Sequence, residues 1–121
     1  MQADLGSPMR VKSILIQGRG DRHAQWVKTY IVAISNDGQT FDYVTNGDLS
    51  SSSADDAVVF EANTDQTTVV EQQLPPTRPA RFVRLYPQTW HRHISLRWEV
   101  MACSGTSGRH LDYDVRGLLF T

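Results

Sequence analysis

One short run near the end of the chain constrains the fold more than any other. Apolar side chains occupy every second position from Ile94 to Val100, and Ser95, Arg97 and Glu99 lie between them. A period of two places the apolar side chains on one face of a β-strand and the polar ones on the other. The run therefore predicts a half-buried strand in a sheet that packs on one side.

Further short runs have the composition of strands. Residues 11–17, 28–35, 67–70 and 81–86 are rich in β-branched and aromatic side chains, and no stretch of ten residues has a helical period. Asn36-Asp37-Gly38 predicts a hairpin turn, because these residues tolerate a positive φ. The polar, low-complexity run 47–56 predicts a flexible surface loop. Together these patterns predict an all-β sandwich.

Composition narrows the class of protein. The 121 residues have a formal net charge of −1 and 40% hydrophobic side chains, which suits one small globular domain. There is neither an apolar run long enough to span a membrane nor a signal-peptide pattern at the N-terminus. Without a basic stripe we expect no nucleic-acid partner. Without a nucleophile elbow, a phosphate-binding glycine loop or paired acid and base carboxylates, we expect no enzyme.

Several segments, in their order along the chain, resemble one family. They are Asp4-Leu5-Gly6, 11–18, 26–30, 35–38, 60–65, Pro75-Pro76 and 79–103. The chain resembles the discoidin family, also called the coagulation factor 5/8 type C domain. The resemblance implies a discoidin-type, galactose-binding-like jelly roll, and a secreted or ectodomain binding module. It also implies a domain over 1–103 that lacks the N-terminal third of the family pattern, followed by a tail or linker over 104–121. A secreted protein needs an export signal, so either that signal lies on a segment missing from this sequence or the sequence is an excised piece of a longer protein.

Cys103 is the only cysteine. An odd cysteine in a secreted module suggests a partner elsewhere, and the resemblance implies a disulfide between Cys103 and a cysteine near the start of the complete domain. No motif sets a base beside the thiol, so we expect a structural role. In the present chain we expect the thiol to react with thiol reagents.

A charged run lies between the first two predicted strands, before Trp26. It consists of Arg19, Gly20, Asp21, Arg22 and His23, and these residues, together with Trp26 at the start of the second strand, are candidates for ligand binding. In the discoidin family this connection is a projecting loop that contacts lipid, glycan or protein. Charged residues at its tip favour hydrogen bonds to a sugar or contact with an anionic head group over deep insertion into a bilayer. The tripeptide Arg19-Gly20-Asp21 leaves an alternative open, namely integrin binding.

A second candidate run follows the strand at 81–86. Trp90, His91 and Arg92 suit stacking on a sugar ring or contact with a phosphate, although the resemblance also gives Trp90 a role in supporting the core. His91 and His93 have a spacing compatible with zinc, but two ligands do not make a site, and no metal is expected. The resemblance implies calcium only for a complete domain, with Glu99 as the remaining carboxylate.

These observations predict an extracellular recognition or adhesion module without a cofactor. Its expected ligand is a cell-surface glycan or an anionic phospholipid surface, with the glycan favoured because the first loop is polar. The alternatives are integrin binding through Arg19-Gly20-Asp21, binding of a matrix protein, and a non-catalytic domain attached to an enzyme.

Overall fold

The computed structural model describes residues 1–18, 24–46, 51–103 and the backbone of 112–116, and within them two packed layers of antiparallel strands share their first strand. The strands are β1 Gln2–Gln17, β2 Trp26–Ser35, β3 Asp42–Tyr43, β4 Phe60–Glu61, β5 Val70–Gln73, β6 Ala80–His91, β7 Arg97–Cys103 and β8 Asp112–Arg116. One 3-10 helix, Ala54–Asp56, precedes β4. The predicted all-β sandwich is confirmed.

The long strand β1 connects the two layers. Its first residues pair with β6, whereas its second half pairs with both β5 and β7. The pairing with β6 shifts register between Asp4 and Met9, and Gly6 lies in this bend with φ 84°. A positive φ strains any residue with a Cβ, so glycine suits this irregularity within the β1–β6 pairing, before β1 enters the second layer at Arg10.

The first sheet has the order β3–β2–β6–β1, with β4 also paired to β2, and the second sheet has the order β5–β1–β7–β8. Inward-facing side chains of both sheets form one core. Its largest fully buried apolar members are Tyr30, Ile14, Ile16, Ile34, Leu85 and Leu96. Burial of apolar surface between the sheets supplies the main stabilisation of the fold.

The alternation that predicted the last strand is confirmed for most of its length. Leu96, Trp98 and Val100 are at most 3% exposed, and Arg97 is exposed. Ser95 departs from the pattern because its side chain is fully buried. Within the run, β7 begins only at Arg97, so Ser95 lies in the preceding connection and does not follow the period of the strand.

The predicted turn at Asn36-Asp37-Gly38 is confirmed. Gly38 has φ 76°, and the Ser35 hydroxyl accepts hydrogen bonds from the backbone N–H groups of Asp37 and Gly38. A carboxylate oxygen of Asp37 accepts from the backbone N–H groups of Gln39 and Thr40, and these bonds lower the pKa of Asp37 to about 2. The turn is thus closed by side chains that bond to nearby backbone.

Three local predictions need correction. The strand predicted over 67–70 begins only at Val70, because Asp65 accepts hydrogen bonds from the backbone of Thr67 and Thr68 and holds them in a turn. The strand predicted over 81–86 continues to His91, with Pro87 beside a register irregularity that tolerates a residue without an N–H. In the predicted flexible loop, residues 47–50 lie outside the described residues, whereas residues 51–56 form a β-bridge and the 3-10 helix.

Cys103 ends β7 and is 1% exposed, with a free thiol. The expectation of a readily reactive thiol is therefore wrong for the folded chain, because a reagent must first open the sheet. Beyond it, Asp112–Arg116 pairs antiparallel with β7. The stretch predicted to be a tail or linker thus contributes an edge strand to the second sheet.

Candidate ligand-binding loop end

Four strand termini meet at one end of the sandwich, which we call the loop end. Trp26 at the start of β2 pairs with His91 at the end of β6, and Gln17 at the end of β1 pairs with Arg97 at the start of β7. The connections β1–β2 and β6–β7 therefore leave and re-enter the sheets at this end. These are the two connections that carry the candidate residues predicted from sequence.

Arg19, Gly20, Asp21, Arg22 and His23 lie outside the residues that the structure describes, so their role in binding stays a prediction. The residue before them, Gly18, is buried and closely surrounded. A Cβ built on Gly18 would lie 2.7 Å from the Cα of Gln66 and 3.0 Å from the carbonyl oxygen of Gln25. Glycine is required here because backbone from two other segments approaches it.

A third connection, residues 64–69, also reaches the loop end, and the sequence reasoning did not identify it. The Gln17 side-chain amide donates to the carbonyl oxygen of Thr67. Hydrogen bonds from the backbone of Thr68, its hydroxyl and the backbone of Thr67 lower the pKa of Asp65. The available signal was Asp65 ahead of two threonines, a pattern typical of a side-chain-capped turn. Val69 is 52% exposed here.

Asn63 ties this connection to both sheets. Its backbone N–H donates to the carbonyl oxygen of Val27 in the first sheet at 2.9 Å. Its side-chain amide donates to the carbonyl oxygens of Ile16 in the second sheet, at 3.1 Å, and of Thr68, at 2.9 Å. Asn63 is only 2% exposed; its bond to Ile16 is buried and its bond to Thr68 is partly buried, and together they hold the 64–69 connection against the second sheet.

Trp26 and His91 form a stacked pair at the loop end. Their ring centroids are 4.2 Å apart and their planes differ by 15°. Both side chains are half-buried, so one face of the Trp26 indole is covered by the imidazole. The stacked pair presents a rigid aromatic edge to a ligand. Because one face of its ring is covered, Trp26 is not a free apolar side chain of the kind that inserts into a bilayer.

Trp90 is the exposed aromatic side chain at this end. It pairs in register with the buried Val27, but 43% of its surface is accessible to solvent. Trp90 therefore shares the core-facing side of the sheet with Val27, but it is not enclosed by the core as a purely supporting side chain would be. An exposed indole offers a large apolar face and one N–H donor to a ligand.

Arg92 lies at the centre of a tight three-residue turn. The backbone N–H of His93 donates to the carbonyl oxygen of His91 at 2.9 Å, and Arg92 has φ 68°. This combination corresponds to a strained γ-turn, and a positive φ is unfavourable for a residue with a Cβ. Strain of this kind concentrates at ligand-binding sites. Arg92 is exposed and directly follows Trp90 and His91 in the sequence.

His91 and His93 do not continue along one strand, because the turn at Arg92 separates them. His91 stacks on Trp26, whereas His93 is exposed. Within the described residues, no group of three or more His, Cys, Asp or Glu side chains is placed to hold a metal ion. In the same part of the chain, no helix is long and apolar enough to cross a membrane.

The protein is thus an antiparallel sandwich. Its candidate residues lie at strand ends and connections at one end, an arrangement that suits a ligand-binding module. A sequence model of the F5/8 type C domain matches residues 1–100. The chain belongs to this family, as the resemblance of its segments predicted.

Known relatives agree with this assignment. Canine coagulation factor VIII is 35% identical over 105 residues, which are 85% of this chain and 4% of that protein, and bovine lactadherin is 37% identical over 105 residues, 85% of this chain and 23% of that protein. The solved structure of discoidin II from Dictyostelium discoideum matches with a TM-score of 0.67 and 31% identity, covering 84% of this chain and 35% of that one. The chain therefore spans well under half the length of these proteins.

Proposed function

We propose that the chain is an extracellular recognition module that attaches to cell surfaces by binding a glycan or an anionic phospholipid at its loop end. The observation that carries this proposal is the exposed Trp90 near the end of β6, two residues before the exposed Arg92 in its strained turn. Membership in the F5/8 type C family, with lactadherin and factor VIII among the relatives, supports an extracellular binding role.

The chemistry of these side chains suits both ligands. The apolar face of an indole packs on the C–H face of a sugar ring, and indoles also favour the head-group level of a membrane. The Arg92 guanidinium presents several N–H donors in a plane, which suits the oxygen pairs of phosphate, sulfate and carboxylate groups. A ligand that carries both an apolar ring or chain and an anionic group would contact Trp90 through the apolar part and Arg92 through the anionic group.

Glycan is favoured between the two. Insertion into a bilayer needs several free apolar side chains at the tips, but the described part of the loop end offers only Trp90 and Val69 as exposed large apolar residues. The indole of Trp26 is covered on one face by His91. The polar run from Arg19 to His23 adds hydrogen-bonding and charged groups, which also suits contact with sugars over insertion.

The test is a glycan array run beside flotation with phosphatidylserine vesicles, using the whole chain. Trp90→Ala removes the exposed ring. Arg92→Gly removes the guanidinium at a position where φ 68° suits glycine, so a loss of binding is not explained by backbone strain. Val59→Ala serves as the control, because Val59 is 57% exposed and lies outside the loop end.

We expect Trp90→Ala and Arg92→Gly each to weaken binding by about tenfold or more, and Val59→Ala to leave it unchanged. Added salt should weaken binding of the unmodified chain, because an exposed cation is screened over about 8 Å at physiological ionic strength. The proposal fails if neither probe binds. It also fails if cell adhesion is abolished by Asp21→Glu while both loop-end variants adhere normally, since that result identifies the integrin alternative.

A further inference from the structure

The outer face of the first sheet, opposite the core, carries a row of side chains that is remote from the loop end. Arg84 of β6 is in register with Gln2 of β1 on one side and with Ala33 of β2 on the other, and Ala33 is in register with Tyr43 of β3. Residues directly opposite one another in an antiparallel pair project from the same face. Tyr86, two residues from Arg84, lies on this face as well.

Arg84 is held firmly in this row. Its guanidinium lies over the ring of Phe41, 3.8 Å from the centroid, and its Nε donates to the side-chain oxygen of Gln2 at 2.8 Å. One terminal nitrogen donates to the Tyr86 hydroxyl at 3.3 Å. These contacts leave several of its five N–H donors unused. The guanidinium is therefore oriented before any ligand arrives.

The neighbouring arginines differ from Arg84 in their partners. Arg78 forms an ion pair with Asp42, and Arg81 forms a bidentate pair with Asp4 at 2.8 and 3.0 Å. Within the described residues, no carboxylate pairs with Arg84. Partial burial of a cation without a counter-charge costs free energy, and a bound anion that forms an ion pair with the cation offsets that cost.

Aromatic rings border this cation. Tyr43 and Tyr86 have centroids 6.0 Å apart with planes inclined by 46°, and the ring of Phe41 stacks on the guanidinium. From Gln2 to Tyr43 the row crosses four strands, which is a span of about 14 Å at the usual strand spacing. A short saccharide with a single acidic group fits this surface. Its C–H groups would pack on the aromatic rings, its hydroxyl groups would meet the polar side chains at the margins, and its acidic group would meet the central guanidinium.

We propose that this outer face is a second binding surface, which takes a saccharide bearing a carboxylate or a sulfate, with Arg84 as the residue that contacts the acidic group. Asp4 and Asp42 at the margins each neutralise an arginine, so the positive charge of this face is concentrated at Arg84, with the Met1 ammonium group close enough to interact with it. Charge complementarity therefore favours a discrete anion over a continuous anionic surface such as a membrane.

The test titrates the whole chain with three disaccharides: one that carries a uronate only, one that carries a sulfate, and a neutral analogue. Isothermal calorimetry gives the affinities, and the first two arms distinguish the carboxylate from the sulfate. Arg84→Lys keeps the charge but loses the planar fork and the stacking on Phe41. Arg81→Lys is the matched control on the same strand, and Val59→Ala, the control of the loop-end test, is the second control.

We expect at least one acidic disaccharide to bind and the neutral one not to bind. Arg84→Lys should weaken binding by about tenfold or more, while Arg81→Lys and Val59→Ala change it by less than about twofold. If Arg84→Lys lowers the melting temperature enough to prevent the measurement, Tyr43→Ala on the edge strand β3 should give the same loss. Equal affinity for the variants, equal affinity for the neutral sugar, or no binding at millimolar concentration overturns the proposal.

Discussion

Replacing Asn63 with alanine should destabilise the fold strongly, because this residue joins the two sheets at the loop end. The substitution removes two side-chain hydrogen bonds, to the carbonyl oxygens of Ile16 and Thr68, and leaves the backbone bond to Val27 in place. The site is only 2% exposed. Water therefore cannot easily replace the lost donors.

The expected magnitude follows from these contacts. Each intramolecular hydrogen bond contributes about 1 kcal/mol net, and a buried carbonyl that loses its donor costs about 1 kcal/mol or more in addition. The Asn63 side-chain oxygen is buried without a partner among the described residues, so its removal offsets part of this loss. The free energy of unfolding should therefore fall by about 2–3 kcal/mol. In a domain of this size the melting temperature should fall by about 10 °C.

The measurement is urea unfolding followed by tryptophan fluorescence. Asn36→Ala is the matched control, because Asn36 also makes two side-chain hydrogen bonds, to the carbonyl oxygen of Pro79 and from the backbone N–H of Arg81, but is exposed. We expect the control to cost less than about 1 kcal/mol, since water replaces exposed bonds. Equal losses for the two variants would refute the reasoning that burial makes Asn63 critical.

Three further predictions concern single positions. Gly18→Ala should lower the free energy of unfolding by about 1–3 kcal/mol in the same urea assay, because its Cβ meets backbone of Gln66 at 2.7 Å; an unchanged midpoint would contradict the close approach. Tyr30→Phe should be neutral or stabilising in thermal unfolding, because the buried hydroxyl has no hydrogen-bond partner in the described chain. Burial also raises the pKa of Tyr30 above the unfolded-state pKa of about 10. The fold should therefore lose stability as pH rises above about 10, because the unfolded chain ionises this tyrosine first. A spectrophotometric titration checks whether one tyrosine resists ionisation. The hydrogen bonds from Arg81 lower the pKa of Asp4 to about 2, so this pair should stabilise the fold above about pH 4 and lose its effect as pH falls towards 2. Asp4→Asn should flatten stability across that interval, and an unaltered profile would show that the pair contributes nothing.

Much of the fold could be predicted because short stretches of sequence determine the strands and turns that they form. The alternation from Leu96 to Val100 fixes which face of β7 is buried, and Asp37 and Gly38 close their turn with side-chain bonds and a positive φ. The extension of β6 past Pro87 could not be predicted, because it depends on a register irregularity between β2 and β6. Pairing between distant segments decides such features, and local propensity does not.

The candidate site was predictable only in part. The identities of Trp26, Trp90, His91 and Arg92 pointed to a ligand, but exposure of Trp90 depends on where the core ends. The stacking of His91 on Trp26 depends on the pairing of two strands more than sixty residues apart in sequence. The contribution of the 64–69 connection required Asn63 to bridge both sheets, which no local pattern reveals.

Ligand binding at the loop end is tested most directly by the NMR signals of the indole N–H groups of the three tryptophans. Trp26 and Trp90 lie at this end, whereas Trp98 is 3% exposed within the core and serves as an internal control. The protein is titrated, in separate experiments, with the best-binding glycan of the array and with a soluble short-chain phosphatidylserine. With at least one of these ligands we predict that the Trp90 signal moves most, the Trp26 signal moves less and the Trp98 signal stays in place. Saturable binding that leaves the Trp90 and Trp26 signals unmoved would contradict the claim.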